Sequence, residues 1–358
     1  MKLLDKYIVK QYIASFLFIL GMVLVICVLV DLVEKVDEFI DKDPPLREII
    51  FEYYLNFIPY YGNLLTPLCI YLGVIFFTSQ MSQRTELIPI LSSGVSFYRV
   101  LAPYIFASIL MAGVSFFLRG YVIPNTTEIR IEFEYKYFKK KRISSNKNVH
   151  KKIAEDTFFY ISYYNEKRRE GHTISIERWV EGDIKSRLYA RKAMWVDSTK
   201  SWKMEKVRIR DFIGTKGETM EYFSTLDTTL LIAPNDIYVR EQEAETRTNP
   251  ELADFIRLEE MRGSDILLDL YIEQARRYAD PVAIIVLTMI GFAMASKKSR
   301  GGIAFQIGMG LLLSFLYIGL LFGGRALVSD DFPIWATVWL PNVLFFAVSL
   351  LLLRIAPK

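Results

Sequence analysis

Histidine and cysteine are close to absent from this chain, with two of each in 358 residues. Cys27 and Cys69 both stand inside apolar blocks, which excludes an oxidised disulfide framework and leaves neither thiol a recognisable metal partner. His150 and His172 lie in polar stretches, where a histidine reads as a surface residue before a ligand. No resident metal is expected. No GxxxxGK[ST] occurs, so the chain cannot cradle nucleotide phosphates itself. Its polar region shows no paired carboxylates, nucleophile elbow or zinc spacing, so no catalytic residue and no cofactor of its own are expected. The net charge of +4 is small and averages over very different regions, which makes no case for a nucleic-acid partner.

What the chain does have is apolar length. Hydrophobic residues make up 52% while 23% are charged, so the apolar content must be gathered in blocks, as in a membrane protein carrying a polar domain. Residues 11–30 hold twenty positions without a charge, enough at about 1.5 Å rise each to cross a ~30 Å hydrocarbon core. The block runs straight into DLVEKVDEF, where apolar residues continue at helical spacing. It is therefore a retained first span whose helix projects beyond the bilayer, not a signal peptide. Asp43-Pro44-Pro45 stops it. Residues 53–83 form a second span in which Pro59, Gly62 and Pro67 predict kinks, and 100–118 a third, closed by Arg119. Residues 278–296, 301–324 and 332–353 supply three more. The fold class is membrane α-helical, with six transmembrane helices split 3+3 around an inserted β domain.

In that insertion the period changes to two. Phe159, Ile161 and Tyr163 alternate, as do Ile174 and Ile176, Leu188 and Ala190, Trp202 and Met204, Val207 and Ile209, and Met220 and Tyr222. Gly171, Gly182, Asn235 and Asp197-Ser198 punctuate the runs. About residues 149–239 suffice for a small antiparallel roll or two-sheet sandwich, not for a large enzyme. The slip of phase between Met204 and Val207 suggests a bulge. The domains divide as 1–123, 124–264 with helical linkers at its flanks, and 265–358.

Orientation follows from lysine and arginine in short loops. With the N-terminus inside, the inner side holds Lys2, Lys6, Lys10, Arg84, Arg99, Lys297, Lys298, Arg300, Arg354 and Lys358 against Asp5 and Glu86. Both termini are then cytoplasmic and the β domain extracytoplasmic. On the inner side, QMSQRTELIPILSSGVS at 80–96 shows Arg84 and Glu86 and then a compact apolar run, with Gly94 as a helix stop. Leu87, Ile88 and Leu91 share a helical face, and Pro89 fits a first turn. Such a helix at about 84–94 either lies in the interface as an amphipathic loop or seats in a groove of a soluble motor.

Four stretches in this order resemble the LptF/LptG family of lipopolysaccharide-export permeases: LLDKYIVKQYIASF; IPYYGNLLTPLCIYLGVIFFTSQMSQRTELIPILSSGVSFYRVLAP; QARRYADPVAIIVLTMIGFAMA with SKKSRGG; and IWATVWLPNVLFFAVSLLLLRI. The opening LLDKY and the length lean towards an LptG-like subunit. The resemblance implies a periplasmic β-jellyroll and a heterodimer with a paralogous permease in the bacterial inner membrane. It also implies a dimeric cytoplasmic ATPase carrying ATP and Mg, a periplasmic jellyroll bridge protein, a single-span regulator, and lipopolysaccharide as cargo. It makes the loop between spans two and three the coupling helix, with Glu86 as acidic contact to the motor and Arg84, Leu87, Ile88, Leu91 and Ser92 around it. In the family, lysines at the outer end of span one face the lipid phosphates. Here Lys35 and Lys42 are the candidates, crowded by Asp31, Glu34, Asp37, Glu38 and Asp41, with Arg325 at the outer end of span five as another. Phe159, Ile161, Ile174, Ile176, Trp202 and Met204 either line a slot for acyl chains or fill an ordinary core. A different cassette exporter, for lipoprotein release or efflux, and a non-transporting envelope scaffold are the rival readings. The exporters place their large domain after the first span, unlike this chain.

Overall fold

The computed structural model describes residues 3–138, 147–165, 168–212, 217–230, 232–237, 243–264, 266–296, 302–323 and 333–355. Among the described residues, six helices are long and apolar enough to cross a membrane. They are α1 (Leu3–Lys42), α2 (Leu46–Gln83), α4 (Phe97–Tyr137), α6 (Leu267–Ala295), α7 (Gly302–Gly323) and α8 (Ile334–Ile355). The short α3 (Leu87–Ser92) joins α2 to α4, and α5 (Asn249–Arg262) precedes α6. At 40 residues α1 reaches about 60 Å, twice a hydrocarbon core, so its last turns leave the apolar layer as the continuing helical pattern predicted. Asp43, at φ 45°, ends it before the two prolines. The third helix does not end at Arg119. It runs on to Tyr137 through a π-helical turn at Leu118–Val122, because the arginine finds carboxylates there instead of water.

Contacts divide the chain into two units: 1–139 with 245–250 and 271–358, and 140–244 with 251–270. Two large apolar clusters join the spans of the membrane unit. In one, Ile8, Tyr12 and Phe16 of α1 meet Ile70, Val74 and Phe77 of α2, Val100 and Tyr104 of α4, and Phe292 of α6. Gly73 admits α1 closely, since a Cβ there would lie 3.1 Å from the Phe16 backbone. The other gathers Tyr71 and Ile75 of α2, Leu287 and Ile290 of α6, Tyr317 of α7 and Phe345 of α8. Several hydroxyls in these helices find partners across helix interfaces. Tyr12 bonds Thr288 at 2.8 Å, Thr78 bonds Tyr104 at 3.0 Å, and Tyr317 donates to Asn342 at 2.9 Å.

The β unit is one antiparallel sheet in the order β1 (Lys147–Ala154), β2 (Thr157–Asn165), β3 (Glu170–Val180), β4 (Asp183–Val196), β5 (Ser201–Phe212) and β6 (Glu218–Thr228). Glu181 at φ 54° and Gly182 at φ 86° give β3 and β4 the two-residue turn that matches strand twist. The roll comes from creasing one sheet, not from stacking two. Pairing runs Ile161 to Ile174 and then Tyr163 to His172, Ala190 to Val207 and then Lys192 to Glu205, Val207 to Phe223 and then Glu205 to Thr225. The residues passed over fall in one line across the strands: Ser162, Thr173, Arg191, Lys206 and Ser224. Asn148, Thr173 and Lys206, on alternate strands of this line, have φ between 52° and 53°. The line acts as one extra residue in every strand, so the inward set changes phase across it. Ile161, Ile174, Ala190 and Val207 point inward on one side, and Tyr164, Ala193 and Met204 on the other. The slip between Met204 and Val207 is the β5 crossing of this crease. Gly171 stands where a Cβ would collide with the Ile161 side chain. A buried Lys151–Glu259 ion pair of 3.2 Å ties β1 to α5.

Candidate functional site

The loop between α2 and α4 is built on a backbone reversal. Thr85 adopts φ 56° and Gly94 φ 87°, so α3 is set off from both neighbouring helices. The Gly94 N–H bonds the Leu91 carbonyl at 3.1 Å, and Ser96 caps α4 by accepting from the Arg99 N–H at 3.3 Å. Leu87 is 3% exposed and belongs to the same cluster as Phe97, Val100, Tyr104 and Phe292, with Leu91 packed beside it. Arg84 and Ser92 are exposed, and Glu86, half-buried, accepts from the Tyr7 hydroxyl at 3.4 Å. Ile88 occupies the second position of α3. The helix is thus fastened to the transmembrane core by Leu87 while Arg84, Glu86 and Ser92 stay at its margin.

The cation expected at the end of span one is held by this chain itself. Lys35 Nζ lies 2.8 Å from Asp31, one helical turn back, in contact with the Tyr53 hydroxyl and 4.4 Å from the Tyr53 ring centroid. Asp31 also accepts from that hydroxyl at 3.1 Å. Tyr53 sits in a π-helical turn, Ile49–Tyr54, and Phe39, Tyr54, Phe57, Phe133 and Phe138 surround it. Lys35 is therefore a caged, neutralised ammonium. Lys42 is exposed two turns later and has no ion pair among the described residues. Arg325 lies outside the described residues, as do Lys297, Lys298 and Arg300.

A second charged constellation escaped sequence reading. Arg119, in its π-helical turn, meets Glu273 at 3.2 Å and also Asp280. Arg277 bonds Glu273 at 3.2 Å and donates to Asn249 at 3.0 Å, and Gly120 leaves room for that asparagine, whose amide a Cβ would approach to 2.5 Å. Arg130 pairs with Glu134 at 3.0 Å over the Tyr60 ring. Burial pushes the Glu245 carboxyl up to about 7, reinforced by the Glu273 charge and opposed by Arg119 and Arg130. A signal was present: Glu273, Arg277 and Asp280 recur at helical spacing just before an apolar run.

In the β unit Phe159, Ile161, Ile174, Trp202 and Met204 are all 2% exposed or less, with Ile176 packed against them. Trp202 Nε1 donates to the Ile232 carbonyl at 2.8 Å. The structure brings all six into one apolar cluster.

The family model for the lipopolysaccharide export system permease LptF/LptG matches residues 6–355. The chain belongs to the LptF/LptG family. No curated protein matches it. As an LptF/LptG permease it is a multi-pass membrane protein of lipopolysaccharide export, and the family implies a permease heterodimer within a larger transport system. An antiparallel β domain inserted between its third and fourth spans agrees with that membership.

Proposed function

We propose that this chain is one permease of an ATP-binding-cassette machine that lifts lipopolysaccharide out of the inner membrane and hands it to a periplasmic bridge. ATP and Mg belong to a dimeric cytoplasmic ATPase, and a single-span regulator completes the assembly. Both termini face the cytoplasm and the β domain the periplasm, a reading supported by the inner cations Lys6, Lys10, Arg84, Arg99 and Arg354. The observation that carries the proposal is the anchoring of α3. A motor that grips Glu86, Arg84 and Ser92 moves a helix whose Leu87 is set in the core shared by α1, α2, α4 and α6. Displacement at the loop therefore becomes displacement of the spans.

Lys35 has a part in this reading as an exchange site. A lipid phosphate near Asp31 competes with it for the ammonium, and the Tyr53 hydroxyl is at hand to donate to either anion. The inward face of the β unit carries acyl chains only if its cluster opens during turnover.

The test is Glu86→Ala and Leu87→Ala in the membrane-embedded full chain with its partner permease and ATPase. Glu86→Ala should lose ATPase co-purification and lipopolysaccharide release together. Leu87→Ala should keep the ATPase bound and lose release. Wild-type release by both variants would overturn the coupling role of α3.

A further inference from the structure

The crease places an open groove of about 520 Å³ on β4, β5 and β6, lined by Tyr189, Arg191, Lys206, Arg208, Tyr222 and Ser224. Two rows of the sheet meet in it. Tyr189, Arg208 and Tyr222 are direct cross-strand neighbours, and the Arg208 guanidinium lies over the Tyr189 ring at 5.0 Å. Arg191, Lys206 and Ser224 belong to the crease line, where Lys206 at φ 53° breaks the regular pleat.

The charges around this groove separate into two kinds. On one side Arg187 pairs with Glu177 at 2.9 Å and Arg210 with Glu218 at 2.6 Å; on the other, Lys192 pairs with Glu170 at 2.8 Å. Among the described residues, Arg191, Lys206 and Arg208 have no carboxylate partner, and all three are exposed. Three adjacent cations left unneutralised, beside residues of the same type that are neutralised, leave a local positive field with no protein anion to absorb it. Two tyrosines in line with Arg208 offer ring faces to a flat, hydroxyl-rich ligand, and the guanidinium forks suit phosphate oxygens.

We propose that this groove binds the phosphorylated saccharide of the lipopolysaccharide headgroup, gripping phosphate with Arg191, Lys206 and Arg208 and stacking a sugar ring on Tyr222. The inference rests on the lipopolysaccharide reading above and adds to it a headgroup site on the sheet. An acidic peptide is the weaker fit, because peptide recognition would draw on the backbone of the edge strand β6, whereas the groove presents charged and aromatic side chains.

The test titrates the full chain in nanodiscs with deacylated, phosphorylated lipopolysaccharide saccharide, with the same saccharide dephosphorylated, with inorganic phosphate and with an acidic peptide, while lipopolysaccharide release is followed in the same preparation with its ATPase. The phosphorylated saccharide should bind best, weakening about tenfold or more on dephosphorylation and in R191A/K206A/R208A. Tyr222→Ala should weaken the saccharide but not inorganic phosphate, and Arg210→Ala, which removes a neutralised cation from the same sheet, should change little. Equal binding of the dephosphorylated sugar, unchanged affinity in the triple variant, or tighter binding of the acidic peptide would each overturn the groove. If release proceeds while any of these holds, the groove alone has failed; if no lipopolysaccharide moves, it is the parent reading that has failed.

Discussion

The buried arginines of the membrane unit and the groove arginines of the β unit are treated in opposite ways. In the membrane unit Arg119, Arg130 and Arg277 are each held by a carboxylate, and Arg119 by two. On the groove side of the β unit Arg191 and Arg208 have none among the described residues. Desolvation separates the two. An ion withdrawn from water costs several kcal/mol unless an opposite charge accompanies it, while an exposed guanidinium keeps its hydration and needs no partner. A paired arginine buried in the membrane unit is thus what desolvation requires and says little about ligands. An unpaired cluster in water carries no such obligation, and its charge is left for something else.

That contrast can be broken most directly at Arg119. Arg119→Leu strands Asp280 and leaves Glu273 with Arg277 alone, and should cost about 3–5 kcal/mol, read as a large fall in the thermal midpoint of the detergent-solubilised protein. Arg119→Lys should recover part of it. A midpoint unchanged in Arg119→Leu would mean the carboxylates are hydrated and the contrast is empty.

Next in size is the pH response of Glu245. Its folded value, about 7, stands above the ordinary 4.5, so the folded state holds the extra proton between those values. Stability should therefore fall as pH rises from about 4.5 to about 7, by at most about 3 kcal/mol, and level off above. Glu245→Gln should abolish that slope and exceed the wild type in stability above pH 7. A wild-type slope of the opposite sign, followed by thermal unfolding across that range, would remove Glu245 from the buried network.

Thr173→Gly should be stabilising by about 0.5–1 kcal/mol, since a β-branched residue at φ 52° is strained and glycine is not. The smallest effect belongs to the groove. Arg191→Ala and Arg208→Ala should each leave stability within about 0.5 kcal/mol of wild type by denaturant unfolding, the other limb of the comparison. A loss as large as that at Arg119 would show them to be structural.

The six spans were legible because hydropathy alone dictates them, and α3 because Gly94 and the spacing of Leu87 and Leu91 mark a short helix. The end of the third helix was not, because Arg119 looks like a boundary until Glu273 and Asp280 are seen beside it, 154 and 161 residues away. Lys35 was legible as a cation near the C-terminal end of α1. Its cage was half legible, since Asp31 stands at i−4 in the sequence, but Tyr53 comes from another helix. The crease left one trace, the slip between Met204 and Val207; that the same line crosses the other strands depends on register.

The sequence by itself determined where the chain crosses the membrane, where the β domain is inserted and to which family it belongs. Backbone amides in hydrocarbon must bond within their own segment, so a long apolar run has only one way to fold. Tertiary structure alone decided which charges are spent and which are free. Pairing is a matter of distances between side chains far apart in the chain, and no local pattern encodes them.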